Sequence, residues 1–303
     1  MSDTKPVANE ALNLSESLAA AVETASPSVV QVIGRHRMPS SGLVWSADGI
    51  VVTADHTVER DENLGVGLAD GRTVEATLVG RDPGTDVAVL RIQASGLAVP
   101  QWKELEALKV GHLALALRRN RTLHATFGVV SALGDEGWRT PAGGRLERYV
   151  TADFGLQRGF SGSLLVDAAG RAFGLGTAGL ARGRSLVIPA VTLRRVVEAL
   201  LQHGHVPRAY LGVAAHPVRL PANLESVAGQ PVALMVAGIQ PDSAAEQAGL
   251  LLGDLLVSVD GEPLGGLGHL HGLLGDKPVG SEVTLRILRG GEAKELKASL
   301  GAR

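Results

Sequence analysis

Cysteine is absent from all 303 residues. That excludes disulfides, cysteine-ligated zinc and a thiol nucleophile, and it suits a reducing or an oxidising compartment equally. A surplus of charge is also missing: 29 basic side chains face 31 acidic ones, for a formal net charge of −2. With the signs interspersed, there is no basic stripe for nucleic acid and no polybasic patch for anionic lipid. No apolar run reaches the roughly 18 residues that span a bilayer. A secretory signal needs a positive start and an unbroken apolar stretch. Here Asp3, Glu10, Glu16 and Glu23 interrupt every apolar run of the opening segment. These absences lead to the expectation of a cytoplasmic chain, or a periplasmic one if a signal had been removed.

What is present suggests a packed globular chain of about two domains. Hydrophobic residues make up 45% and charged residues 20%. Residues 1–24 read as a helical segment, with Leu12, Leu14, Leu18, Ala21 and Val22 in loose helical spacing before Ser26-Pro27. Short β-rich runs follow, among them Val29–Ile33, Ile50–Thr53, Thr73–Val79, Val87–Ile92, Leu113–Leu117, Val129–Ala132, Ser163–Asp167 and Ala172–Thr177. Turn residues separate them, the pattern of an all-β barrel or sandwich. The 39 glycines can serve the bulges and corners of such a fold. Helical spacing returns at Leu193, Val196, Val197, Leu200 and Leu201, and Gly204 and Pro207 close it. A smaller mixed unit then runs from Tyr210, with helices predicted at Ser243–Ala248 and Gly266–Leu274. The expected domains are 25–203 and 208–303.

Three segments of the larger domain carry chemistry. His56 ends the β-run Ile50–Thr53, Asp86 enters the apolar run Val87–Ile92, and Ser161 sits in the turn Gly159-Phe160-Ser161-Gly162. Their order along the chain is that of chymotrypsin-like enzymes; other triad folds use different orders. A serine hydroxyl needs a base to take its proton, which suits His56. The base needs a buried carboxylate to hold its tautomer, which suits Asp86. The developing oxyanion needs backbone N–H donors, which Gly159 and Ser161 would supply. Taken singly, each residue also fits a plain turn or cap; the conjunction is what discriminates. His269 and His271, two apart on a helix, do not face each other, so no metal site is expected. His203 and His205 read as solvated.

Ser41–Val44, Asp48–His56, Asp82–Ile92 and Gly159–Leu165 resemble the successive signature stretches of the HtrA/DegP family of trypsin-like serine proteases. Pro27–Val30 is similar to the family's entry into its first strand, and Leu186–Pro189 to its last barrel strand. The resemblance implies a mainly β fold, a chymotrypsin-like double β-barrel followed by a PDZ domain, with no cofactor. It implies a serine endopeptidase that cleaves unfolded or misassembled proteins, assembled as a homotrimer or a multiple of one. Leu156, Thr177 and Leu186 would line an apolar specificity pocket. Tyr210-Leu211-Gly212-Val213 resembles the carboxylate-binding loop and first groove strand of the family's PDZ domains. Residues 241–250, Gly253-Asp254-Leu255-Leu256, Lys277–Gly280 and Leu288–Gly291 continue that likeness. Peptide C-termini would add there as a β-strand, against a helical wall formed by Leu267, Leu270 and His271. The chain departs from the family where Phe160 replaces the usual Asn, Gly162-Ser163-Leu164 the usual Gly-Gly-Pro, and Arg158 a common Pro. Phe160 could bury itself and brace the loop, or prevent the oxyanion turn from forming. In the second case the chain would be an inactive scaffold or chaperone that binds peptide C-termini. A narrow regulatory protease with one signalling partner is a further alternative.

Overall fold

The computed structural model describes residues 5–35, 38–134, 136–154, 159–181, 186–275 and 277–302. Contacts divide the chain into two units, Met1–Val206 and Pro207–Arg303.

The first unit opens with α1 (Lys5–Ala25) and a one-turn 3₁₀ helix at Ser26–Ser28, which places Pro27 where its missing N–H costs nothing. Strands β1 (Val29–Ile33), β2 (Ser40–Ser46), β3 (Ile50–Thr53), β4 (Leu64–Gly67), β5 (Thr73–Asp82) and β6 (Val87–Ile92) close an antiparallel barrel in the order β1-β2-β3-β6-β5-β4. A second barrel, ordered β11-β14-β13-β12-β7-β8, uses β7 (Leu113–Asn120), β8 (Thr122–Gly134), β11 (Tyr149–Ala152), β12 (Ser163–Asp167), β13 (Ala172–Thr177) and β14 (Leu186–Pro189). A two-stranded hairpin, β9 (Trp138–Arg139) with β10 (Arg145–Leu146), precedes β11. Helix α2 (Ala190–His203) ends the unit.

Alternation explains why the strands are apolar on both faces. On β6, Ala88, Leu90 and Ile92 line the first barrel, whereas Val87 and Val89 join a cluster that also contains Leu117, Leu164 and Leu175 of the second. Successive side chains point to opposite faces, so each barrel fills its own interior and also packs against its neighbour. Fully burying one such side chain contributes about 1.5–3 kcal/mol. Helix α2 stops at Gly204 in the left-handed region (φ +74), its N–H bonded to the Leu200 carbonyl. The Gly204 carbonyl presses on Gly80, where a Cβ would lie 2.2 Å from it.

The second unit has an antiparallel sheet ordered β16-β17-β18-β20-β21, built from β16 (Val213–Arg219), β17 (Val232–Ile239), β18 (Leu255–Val259), β20 (Glu282–Arg289) and β21 (Glu292–Ser299). The short β19 (Glu262–Pro263) pairs with β18, and β15 (Ala209–Tyr210) pairs with β22 (Gly301–Ala302). Helices α3 (Ala222–Ala228), α4 (Ala244–Gln247) and α5 (Leu267–Gly275) complete it. Asp254 is sealed at its base: Arg289 donates from Nε and Nη2 at 2.8 and 2.7 Å, and the Leu251 N–H donates at 2.8 Å. Burial pushes that carboxyl up, but the fork and the backbone donor outweigh it and hold it below its ordinary range. β16 lies at one end of the sheet order and, among the described residues, pairs only with β17.

Candidate functional site

His56 and Asp86 come from adjacent strands of the first barrel. β3 is buried throughout and ends in the one-turn helix Asp55–Thr57, which carries the His56 ring out of the sheet. Its neighbour β6 pairs Ala88 with Thr53 and begins directly after Asp86. Asp86 has φ +57, a left-handed conformation that aspartate tolerates better than most residues. The turn folds its carboxylate back onto the histidine. Oδ1 accepts the His56 backbone N–H at 2.9 Å, and Oδ2 lies 2.8 Å from Nδ1. A carboxylate only accepts, so Nδ1 carries the proton and Nε2 is left as the basic nitrogen. The Asp86 side chain is 5% exposed and the imidazole 39%. The acid is sealed and the base faces outward.

Two further supports of Asp86 were invisible in the sequence. The Thr177 hydroxyl, fully buried at the end of β13, donates to Asp86 Oδ2 and accepts the Gly179 N–H at 2.9 Å. A Cβ on Gly179 would fall 2.6 Å from His56 Nδ1 and 2.7 Å from Asp86 Oδ2, so only a glycine lets this segment pass. The β9–β10 hairpin then braces the turn that leads into Asp86. Thr140 Oγ1 donates to the Gly84 carbonyl at 2.6 Å, and a Cβ on Gly144 would lie 2.1 Å from that same oxygen.

Asp55, beside the histidine, is a second buried carboxylate. Burial pushes its pKa up, and the charges of Asp86 and Asp82 add to that; Arg81, 3.6 Å away, and His56 oppose it.

Ser161 sits where the second barrel meets the first. Its carbonyl accepts the Ser41 N–H at 3.4 Å, and the Gly162 N–H donates to the Gly176 carbonyl at 2.9 Å. Thr53 Oγ1, three residues before His56, donates to the Ser41 carbonyl at 2.7 Å. Gly162 has φ +84, and a Cβ there would lie 1.9 Å from the Ser41 oxygen. These contacts hold the start of β12 against the His56 end of β3. Among the described residues no hydrogen bond joins the Ser161 hydroxyl to His56, a gap of the kind that closes when substrate orders a site. Gly159 adopts φ +90. Phe160 is 5% exposed and packs in the second barrel's core with Phe154, Leu165 and Phe173, while its carbonyl accepts the Ser163 N–H at 2.9 Å. Of the two alternatives for Phe160, the structure has the buried one.

The remaining site residues are placed less uniformly. Leu156 lies outside the described residues. Thr177 and Leu186 are 0% and 1% exposed; the first spends its hydroxyl on Asp86, and the second packs between the barrels. Neither presents open surface to a substrate side chain. In the second unit the groove strand starts at Val213, later than the expected Leu211. Leu211 and Leu270 are each 1% exposed and belong to the domain core, while Val213 and Leu267 are half-buried at its edge. Burial of Leu211 follows from the positive φ of Gly212 (+89), which turns the chain between β15 and β16. The Leu211 and Gly212 carbonyls are taken by the N–H groups of Ala245 and Gln240, and the Tyr210 hydroxyl bonds Gln240 Oε1 at 3.1 Å. His271 is exposed on α5.

Residues 40–175 match the family model of the trypsin-like peptidase domain, and residues 209–300 that of the PDZ domain. The periplasmic serine endoprotease DegP of Escherichia coli (strain K12) is 31% identical over 269 residues, covering 86% of this chain and 56% of its own length. The periplasmic pH-dependent serine endoprotease DegQ of the same organism is 31% identical over 273 residues, with 86% and 58% covered. The chain therefore spans a little over half the length of the curated relatives it matches. Among solved structures, an HtrA-type protease AlgW with decapeptide aligns with a TM-score of 0.71 at 27% identity, covering 94% of this chain and 98% of that one.

Proposed function

We propose, for a chain that belongs to the HtrA/DegP family of trypsin-like serine proteases with a PDZ domain, that it hydrolyses peptide bonds through Ser161, His56 and Asp86. The observation that carries this reading is the His56–Asp86 pair, bonded through both the backbone N–H and Nδ1. Ser161 is anchored to the same barrel edge by way of Ser41.

Ser161 Oγ attacks the scissile carbonyl carbon while His56 Nε2 takes its proton. The Asp86 carboxylate holds the imidazole in the Nδ1–H tautomer and stabilises the imidazolium. The oxyanion settles against the backbone N–H groups of Gly159 and Ser161, a contribution of about 3–4 kcal/mol to the transition state. Collapse of the tetrahedral intermediate expels the amine with the proton from His56. Water then repeats the sequence on the acyl-enzyme, releasing the acid and restoring the serine. The burial of Phe160 supports a braced loop. A small or medium aliphatic residue before the scissile bond is the preference that the family resemblance implies, with Thr177 and Leu186 buried behind the site rather than open to it. A digest dominated by cleavage after Lys or Arg overturns that preference.

The second unit recruits exposed peptide C-termini, of unfolded or misassembled proteins. The free edge of β16 and the half-buried Val213 and Leu267 beside it support strand addition. Leu12 and Leu14 of α1 are 59% and 51% exposed, which supports self-association through that helix, as a trimer or its multiples. The named relatives are periplasmic, so a periplasmic site of action replaces the cytoplasmic expectation. No described helix is long and apolar enough to cross a membrane.

The test is casein proteolysis by the wild type and by Ser161→Ala, with a fluorophosphonate probe alongside. Turnover and labelling that both vanish in the variant are expected. Neither turnover nor labelling in the wild type, with C-terminal peptides added, overturns the enzyme and leaves a peptide-binding scaffold.

A further inference from the structure

Two arginines end β7 side by side and are used in opposite ways. Arg119 is fully engaged: its Nε donates to the Val29 carbonyl at 2.7 Å, its Nη2 to the Ser26 carbonyl at 3.0 Å, and its backbone N–H to Ser41 Oγ at 3.1 Å. It ties the second barrel to the entry of the first. Arg118 points the other way, to the turn at Gly159 and Phe160. Its guanidinium carbon lies 4.9 Å above the Phe160 ring centroid, and its Nη1 lies 3.3 Å from where a Cβ on Gly159 would be. The Met38 sulfur borders the same spot, 3.9 Å from that Cβ position.

Among the described residues the Arg118 guanidinium has no hydrogen bond and no carboxylate partner, and its Nε is buried without an acceptor. A half-buried guanidinium in that state is costly unless something completes it. The Phe160 face offsets part of the cost by a cation–π contact and fixes where the charge sits. Burial also draws the Arg118 pKa down, the mark of a charge held short of water. What it lacks is an anion.

Barrel order says on which side of the scissile bond that anion would arrive. β12, which follows Ser161, lies between β13 and β7, pairing Ser163 with Gly176 on one flank and Leu164 with Leu117 on the other. By the family resemblance, the side chain before the scissile bond lies on the β13–β14 flank, where Thr177 and Leu186 are themselves buried. Arg118 sits on the β7 flank. An extended substrate crossing Ser161 with its acyl side toward β13 carries its leaving-group side over Arg118. We propose that Arg118 is a specificity-determining residue that selects an acidic side chain, Asp or Glu, within the first three positions after the scissile bond. The inference rests on the peptidase reading above. A guanidinium fork matches a carboxylate by two parallel N–H···O bonds, so selection acts on charge and on shape together.

The experiment compares peptides that differ only by Glu or Gln at each of those three positions, at matched length and identical residues before the bond. For the wild type, kcat/KM is expected to favour Glu by about tenfold at one position, with the ratio shrinking as salt is raised. In Arg118→Met, which keeps an apolar stem over Phe160, the ratio should fall to about one, whatever the absolute rates do. Arg118→Lys keeps the charge without the fork and should retain part of the preference. Thermal melting and fluorophosphonate labelling of both variants establish that they fold with a reactive serine. A wild-type ratio near one at every position, or a ratio unmoved in a folded Arg118→Met, overturns this inference and leaves the peptidase standing. Failure of the wild type to cleave any peptide or to label takes down the peptidase reading and this one with it.

Discussion

Gly179→Ala isolates the orienting contact between His56 and Asp86 without touching either residue. Gly179 is surface-exposed and carries no positive φ, so alanine suits its backbone. The added methyl, however, would lie 2.6 Å from His56 Nδ1 and 2.7 Å from Asp86 Oδ2. Ordinary contact begins near 3.4 Å, so one or both groups must retreat by most of an ångström. The 2.8 Å bond between them cannot survive that retreat in its present geometry. A misplacement of about 1 Å in a catalytic group costs on the order of 10²-fold in rate, and complete loss of the correct tautomer costs about 10⁴-fold in trypsin. The expected fall in kcat for Gly179→Ala is therefore about 10²- to 10³-fold, or roughly 3–4 kcal/mol of barrier. Global stability should fall by about 1–3 kcal/mol, because the methyl displaces a buried, hydrogen-bonded carboxylate, with cooperative melting retained. The assay is steady-state cleavage of a short peptide, with the rate of phosphonate inactivation as a second readout of serine reactivity and thermal melting as the folding control. A kcat within about threefold of wild type, in a protein that melts cooperatively, would refute the claim that this contact sets the base.

Asp55→Asn should raise stability at neutral pH, because the wild-type carboxyl is ionised against its surroundings. Its folded pKa is raised above the ordinary 3.8, so the native state binds the extra proton and wild-type stability falls as pH climbs through that window. The advantage of the amide should shrink toward zero as pH is lowered to 3.8, which melting curves across pH would detect; an advantage that grows on acidification would reverse the sign and sink the account. Gly212→Ala places a Cβ 2.1 Å from Ser243 Cβ at φ +89, and should weaken binding of a C-terminal peptide by at least about tenfold, the scale of one lost loop geometry. Gly229→Ala, with a similar φ of +77 and nothing within 4 Å, carries the backbone strain of about 1 kcal/mol alone and should leave that binding intact; equal losses in calorimetry would show that loop position is irrelevant.

The mainly β first domain and the helix after it were legible from the sequence because alternation and turn residues are local signals. Val29–Ile33, Ile50–Thr53, Val87–Ile92, Ser163–Asp167 and Ala172–Thr177 begin and end where their apolar runs do. β8 extends well beyond Val129–Ala132, to Thr122–Gly134, because pairing with β7 continues through polar residues that give no hydrophobic signal. Helix α3 was missed for a related reason: Ala222–Ala228 buries only Ala228 and has little apolar stripe to read.

At the site, residue types and chain order brought His56, Asp86 and Ser161 together as candidates. Which atoms meet was decided by barrel closure. Thr177 stands 91 residues from Asp86 and reaches it only because β13 returns beside β12 at the junction of the two barrels. Gly179 is unremarkable in its own segment; its necessity comes from the ring and carboxylate packed against it. Arg118 and Arg119 are identical neighbours, yet alternation along β7 sends one to structural carbonyls and the other to the face of Phe160. Residue types and their order along the chain limit which chemistry it can carry. Orientation, burial and the partners of each polar group belong to the tertiary structure, because they depend on distances between residues that no local pattern encodes.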